Sequence, residues 1–432
     1  MKKFKFEYKW VIVIISFLMI FTCLGFCSSN ASLYTYAITD ALDISRSSYS
    51  LAKTLRFIMT SIVNMFFGFF VARFGPKKLI ITGILSLIGA MILNSIATNV
   101  WLFYIGGCLL GIGFSFAGTT MISSVINRWF DKNKGTVMGI VLSANGLGGA
   151  LAAQIVTPII YDKNNVFGFR NAYKMIAVIL AVLIFLVLFF FKEEPKNYDG
   201  DRTVKRHRKS RGKDWVGIDF SKLKRMPIFY ITLICIFLTG FVLHAIGDAA
   251  GVHMKDVGLS DAYIATVLSA HSLVLTASKF LTGFIYDKRG IRTAFLICAM
   301  SSIVSITSVA FTAKSTTGMV LAMIYGIFSS VALPLETIML PIYVSDLFGQ
   351  KSFDKVLGII VSINTAGYAV AAPLINLVYD ILHTYTPALI VCSLIMLGIV
   401  ITMMFVISKG DKIRKKVIEE YENRIKESEV KV

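Results

Sequence analysis

Gly68-Phe-Phe-Val-Ala72-Arg73-Phe-Gly75-Pro-Lys77 and Gly283-Phe-Ile-Tyr-Asp287-Lys288-Arg-Gly290-Ile-Arg292 are two copies of one pattern, 215 residues apart at every matched position. Each follows a long apolar run. Each puts glycines and basic residues where a helix must end and the chain must reverse. A second pair agrees: Gly139-Ile-Val-Leu-Ser143-Ala-Asn145 resembles Gly358-Ile-Ile-Val-Ser362-Ile-Asn364, and Gly148 then matches Gly367. Self-similarity on this scale divides the chain into two related halves.

Outward from these motifs, twelve apolar runs are long enough to cross a bilayer as helices, which takes ~20 residues each. They lie near 10–37, 50–72, 79–98, 101–127, 136–160, 173–191, 228–250, 262–286, 293–313, 317–345, 356–379 and 387–408. The expected organisation is a six-helix bundle over 1–191, a linker over 192–226 with twelve Lys or Arg, a second six-helix bundle over 227–408, and a charged surface helix over 409–432. Composition agrees. Of 432 residues, 56% are apolar and only 16% charged, with a mean hydropathy of +0.72; a soluble protein carries about a quarter charged residues. This excludes a secreted disulfide scaffold, a disordered chain and an ordinary soluble enzyme. The net charge of +19 does not indicate nucleic-acid binding, because the basic residues punctuate apolar runs.

Those basic residues set the orientation. With the N-terminus in the cytoplasm, 35 of the 44 Lys and Arg fall on the inner side, eight on the outer side, and Lys279 alone lies deep within a run. That is a strong positive-inside bias, so both termini are expected in the cytoplasm of a multi-pass cell-membrane protein. The first run follows four lysines but is longer than a signal-peptide core and has no clear cleavage site, which marks an uncleaved span. The six cysteines fall inside the runs with no CxxC pair and read as packing residues.

Gly-x-x-x-Asp-Arg/Lys-x-Gly-x-Arg after spans two and eight resembles the signature of the major facilitator superfamily. Asn127-Arg128-Trp129-Phe130 with Lys134-Gly135 and Gly139, Ser345-Asp346-Leu347-Phe348-Gly349, and Ile44-Ser45-Arg46-Ser47 resemble the oxalate/formate antiporter and monocarboxylate transporter branch. The resemblance covers essentially the whole chain. It implies an all-α membrane protein with twelve transmembrane helices in two pseudo-symmetric bundles. It also implies secondary transport of small organic anions by rocking the halves around a central site. The branch places a cation eight residues before the acid of the second motif, and Lys279 matches that position. Asn364 stands where oxalate-type members have a second cation, and Asn145, its counterpart in the first half, stands where they have an aromatic. A monocarboxylate is therefore the expected substrate rather than a dianion.

Other candidates come from the residues alone. An ionisable side chain inside a membrane span costs at least ~2.5–3.5 kcal/mol and is functional by default. Glu336 lies at a depth similar to Lys279, so the two are expected to pair, as a permanent bridge or as a bond that substrate or a proton opens. His244 and Asp248, four apart on one helix face, and His271 are candidate proton carriers with Glu336. Arg56 is a candidate anion-attracting cation at the outer mouth. Asn30 and Tyr325 are candidate cavity polar groups. Arg73, Gly75, Asp287, Lys288, Gly290, Arg292 and Arg128 form candidate gates, in which a basic cluster meets an acid of the other half. Because Ala72 replaces the acid in the first motif, that latch should be weaker or differently partnered.

No Gly-x-x-x-x-Gly-Lys-Ser/Thr loop indicates ATP hydrolysis. Gly146-Leu-Gly148-Gly149 lies within an apolar helix and reads as close packing, and no spacing suggests a metal or other cofactor. The reading is a monomeric secondary transporter, not an enzyme, working as proton symporter or anion exchanger. A proton-driven exporter of amphiphilic compounds and a non-transporting membrane sensor are the alternatives.

Overall fold

The computed structural model describes residues 8–28, 31–130, 132–161, 165–193, 215 and 217–430. Eleven helices among them are apolar and long enough to cross a membrane: Lys9–Phe26, Pro76–Ile96, Val100–Trp129, Lys134–Ile160, Gly168–Phe190, Pro227–Asp256, Ala262–Arg289, Ile291–Ala310, Thr316–Thr337, Phe353–Leu382 and Thr386–Glu419. The twelfth is a bent pair, Ser48–Met65 with Phe67–Phe74, turned by 59°. Numbered in chain order, these are spans 1 to 12, the bent pair being span 2. Tyr8 donates to the Phe190 carbonyl at 2.8 Å, which ties the start of span 1 to the end of span 6 on one face. Arg292, in the first turn of span 9, reaches Asp411 near the end of span 12 on that same face. We call it the terminal face.

Helix packing repeats with a shift of six spans. Span 1 lies along span 5, span 2 along span 4, and span 3 along spans 4 and 6. In the same way span 7 lies along span 11, span 8 along span 10, and span 9 along spans 10 and 12. The pairs that join the two sets obey the same shift: span 2 against span 11, and span 5 against span 8. Burial follows from the medium. Backbone groups close their hydrogen bonds within each helix because hydrocarbon offers none, and large apolar side chains such as Phe185, Phe189 and Leu273 remain on the outside.

Three elements differ from the sequence reading. The first run, read as one helix over 10–37, is α-helical over Lys9–Met19, π-wound over Ile20–Phe26, and resumes as a helix over Ala31–Ala41. Among the described residues the regular winding ends at Cys27 and Ser28, and serine favours turns over helix interiors. Span 10 is segmented beyond Ala332, where Pro334 and Pro341 each withdraw an N–H from the ladder. The charged tail is no separate surface helix, since Thr386–Val430 is continuous. One glycine, Gly410, interrupts a Lys- and Glu-rich stretch whose residues favour helix.

Small residues set the close approach of the joining pairs. A Cβ on Gly283 would lie 2.0 Å from the Gly135 carbonyl oxygen, and one on Gly68 would lie 2.5 Å from the Lys355 Cα. Neither position accepts a larger residue while the terminal face is shut. Gly283→Val should therefore spread that face. A cysteine placed at Ser124, which is fully buried there, should change from protected to readily alkylated in a background without the native cysteines. Unchanged protection would show that the glycine contact does not govern closure.

Candidate functional site

On the terminal face the halves are latched by polar contacts. The Arg128 guanidinium in span 4 meets the Asp354 carboxylate in span 11 at 2.5 Å, and Ser124 donates to the other Asp354 oxygen at 2.5 Å. Asn127 donates to Gln350 and receives a bond from Lys134. Asp287, the acid of the second motif, accepts from the backbone N–H groups of Gly135 and Thr136 and from the Thr136 hydroxyl, at 3.2, 2.6 and 2.6 Å. It thus sits on the N-terminus of span 5 in the other half, where helix N–H groups lack intrahelical partners and the dipole favours an anion.

This corrects the expected latch. The acid crosses between halves, whereas most of the basic motif residues do not. Lys288 lies over the Phe284 ring of its own helix and Arg292 pairs with Asp411 at 2.9 Å. Arg73 is exposed, with no ion pair among the described residues. The first motif is differently partnered, as Ala72 implied: Glu193, after span 6, accepts from the Lys77 N–H at 3.1 Å and faces Gly75. Gly75 and Gly290 both have positive φ, 79° and 82°, which explains glycine at the two matched reversals.

Asp346 adds a further layer at this face. It accepts from Tyr286 at 3.0 Å and lies 3.8 Å from Arg414 near the end of span 12. The described end of the linker docks beside it, with Trp215 Nε1 donating to the Asp346 carbonyl at 3.2 Å. Nearby, the exposed Asp219 carboxyl is pulled down to about 2 by the Ser221 N–H and hydroxyl and by Lys351.

Midway along the spans, the expected Lys279–Glu336 pair is not formed. Lys279 is 4% exposed, and its hydrogen bond is a long 3.5 Å contact to the Leu142 carbonyl of span 5, across the boundary between halves. No carboxylate lies within 4.0 Å of it among the described residues. Glu336 turns instead to spans 7 and 11. Its Oε2 lies 3.7 Å from His244 Nδ1, it meets the Tyr368 phenol, and its Oε1 is buried without a hydrogen bond. His244 stacks on Tyr368 at 3.7 Å, and Phe57 of span 2 abuts both rings edge-on. The cause is geometric: residue depth is legible from spacing, but the azimuth of Glu336 after Pro334 is not.

The other candidates separate into groups. His271 bonds Ser329 and Ser330 of span 10 through Nδ1 at 2.8 and 2.9 Å, with Tyr325 buried one turn away. Asn364 is 1% exposed and fully engaged: Nδ2 donates to the Ile236 carbonyl at 3.1 Å, and Oδ1 accepts from Tyr368 at 2.6 Å. It joins spans 7 and 11 and orients Tyr368. Asn145 is half-buried on span 5. Asn30 lies outside the described residues.

Asp248 points away from His244 and bonds Lys53 of span 2 at 3.3 Å. This bridge at the far face is half exposed, unlike the Arg128–Asp354 latch. Arg56 is half-buried, one turn from the exposed Lys53. It lines a cavity of about 420 Å³ whose described lining residues all belong to the first half of the chain. Asp354, Tyr368, Lys53 and the Ser61–Ser362 pair, which links spans 2 and 11 at 2.7–3.1 Å, were not singled out from the sequence. An acid in the first turn of span 11 was a signal available for Asp354, and spacing of four from Asn364 was one for Tyr368.

The family model of the Major Facilitator Superfamily matches residues 13–335 and 249–429. The chain belongs to that superfamily. The sialic acid transporter NanX of Escherichia coli is 22% identical over 331 residues, 76% of either chain. Monocarboxylate transporter 13 of Rattus norvegicus is 24% identical over 339 residues, 77% of this chain and 74% of that one. The oxalate:formate antiporter of Oxalobacter formigenes is 23% identical over 291 residues, 65% and 64%. The solved structure of the proton:xylose symporter XylE bound to 6-bromo-6-deoxy-D-glucose superposes with a TM-score of 0.76 at 13% identity, covering 93% of this chain and 96% of that one. The fold is therefore that of a multi-pass major facilitator transporter, and these relatives are transporters rather than enzymes.

Breaking a partly buried ion pair by removing one partner leaves the other charge without its partner. Asp354→Asn should therefore shift the closed-to-open ratio at the terminal face by about tenfold or more, ~1.4 kcal/mol, read as faster alkylation of a cysteine reporter there. The Arg128→Asp/Asp354→Arg exchange should recover part of the protection. No change in either variant would assign closure to the glycine contacts alone.

Proposed function

We propose that the protein is a secondary transporter of small monocarboxylates, alternating access between two six-helix halves, with proton symport as the coupling. The observation that carries this reading is the Lys279 ammonium, buried where spans 5 and 8 meet and holding no carboxylate among the described residues. A cation at that depth is expensive until a counter-charge arrives. Substrate carboxylate supplies the charge at the boundary that must open and close. One central cation suits a monoanion; Asn364, fully bonded within its own half, offers a dianion nothing. Relatives named for sialic acid, monocarboxylates and oxalate:formate exchange are in line with an anionic substrate. The basic terminal face is the cytoplasmic one.

Glu336, His244 and Tyr368 form the coupling group. A buried carboxylate with one unbonded oxygen beside an imidazole can take up and release a proton. Phe57 packs on this group from the opposite half, so rocking changes its surroundings.

In proteoliposomes, labelled monocarboxylates should enter faster under an imposed pH gradient. Lys279→Gln should abolish that flux, and Lys279→Arg should retain a measurable fraction. Flux of no carboxylate, or flux indifferent to Lys279, would contradict the substrate class. Transport of amphiphilic cations by the same preparation would favour an exporter.

Glu336→Gln should lose accumulation driven by the pH gradient while keeping exchange of labelled for unlabelled substrate. Equal loss of both would show that Glu336 acts in binding rather than in coupling.

A further inference from the structure

The cavity around Arg56 is separate from the boundary at Lys279, and its chemistry is that of a site. It has a volume of about 420 Å³ and is lined from spans 1, 2, 3, 4 and 6 and the helix Ala31–Ala41, with no residue of the second half among the described lining residues. The Arg56 guanidinium is bonded to the Ser28 hydroxyl at 3.2 Å and lies over the Phe57 and Phe114 rings at 4.6 and 5.5 Å. It has no carboxylate partner among the described residues. Lys53, one turn away, is already held by Asp248.

Two further lining side chains lack partners although they are deeply buried. Tyr34 is 3% exposed and its hydroxyl is unbonded. Asn94 is 5% exposed and its Oδ1 is unbonded. Buried polar groups are ordinarily hydrogen-bonded; here an unbonded phenol lies in a side chain that lines the same cavity as the cation, while the Asn94 Oδ1 is packed against Gly106 of span 4. Tyr34 also stacks on Tyr173 at 4.4 Å, and the Tyr173 hydroxyl is 3.5 Å from that of Tyr49. The walls are therefore aromatic, with phenols at the rim of a positive centre.

We propose that this cavity is a second anion site, within the first six spans, that binds a hydroxy- or aromatic monocarboxylate through Arg56. The guanidinium takes the carboxylate as a two-pronged partner. The Tyr34 hydroxyl, which has no partner, turns to donate a hydrogen bond, and the Tyr34–Tyr173 face takes the apolar body. Because no described lining residue comes from the second half, occupation does not require the halves to close on the ligand. Its existence does not depend on Lys279 being the transport site.

The test is equilibrium dialysis of radiolabelled 4-hydroxybenzoate and lactate against the full-length protein in detergent, in the Lys279→Gln background. At least one probe should still bind that variant at about one equivalent per chain. Adding Arg56→Gln should weaken the remaining binding about tenfold or more, as loss of a charged hydrogen-bond partner does. Adding Tyr34→Phe should weaken it a few-fold, and Arg56→Lys should restore part of the loss relative to Arg56→Gln. Tyr34→Phe removes one hydroxyl, so it keeps the test decisive if the Arg56 variants do not fold. Absence of any probe binding in Lys279→Gln, or binding indifferent to both Arg56 and Tyr34, would overturn the proposal.

Discussion

An ammonium group buried between two helices, with a distant carbonyl as its hydrogen-bond partner, is the constraint around which the rest of this molecule is organised. Lys279 cannot be hydrated by bulk water at that depth and is not neutralised by Glu336. Its position at the contact of spans 5 and 8 makes its electrostatic state depend on whether the halves are together. Under the proposed function, a substrate carboxylate that satisfied it would change the energy of the same boundary that must move. Binding can shift the balance between conformers only by such differential interaction.

Closure at the terminal face relies on two kinds of contact with different physical character. Gly68, Gly135 and Gly283 let backbones touch across the boundary, and dispersion at that range falls steeply with separation. Arg128–Asp354 and the Asp287 cap on span 5 add directional, partly desolvated charge interactions. The far face carries the exposed Lys53–Asp248 bridge, and exposed pairs of this kind contribute about 0–1 kcal/mol. The structure is therefore shut firmly on the terminal face and held loosely on the other. Reversing that asymmetry requires the Asp354 and Asp287 carboxylates to find water or new partners.

Much of this was legible in the sequence because it follows from one-dimensional spacing. Span number, the doubled motif and the depth of Lys279 depend on hydropathy and counting. The Ala72-for-Asp287 difference correctly implied that the two motif copies are partnered differently. What spacing does not encode is azimuth between helices. Glu336 and Lys279 share a depth yet face different neighbours. His244 and Asp248 share a helix face by count, but His244 lies beside Glu336 while Asp248 pairs with Lys53. Asn364 looked like a cavity group and is instead consumed by the packing of spans 7 and 11. The break after span 1 and the segmentation of span 10 arise from local polar and proline residues that a hydropathy window averages away.

The central claim is that the missing counter-charge of Lys279 is the substrate itself. Magic-angle-spinning NMR on the lipid-reconstituted protein, with nitrogen-labelled lysine side chains and a carboxylate-carbon-labelled substrate, measures that contact directly. A lysine Nζ within about 4 Å of the carboxylate, absent when Lys279 is replaced by Gln, is the expected result. A bound carboxylate that contacts no lysine, or one whose lysine contact survives that replacement, would contradict it.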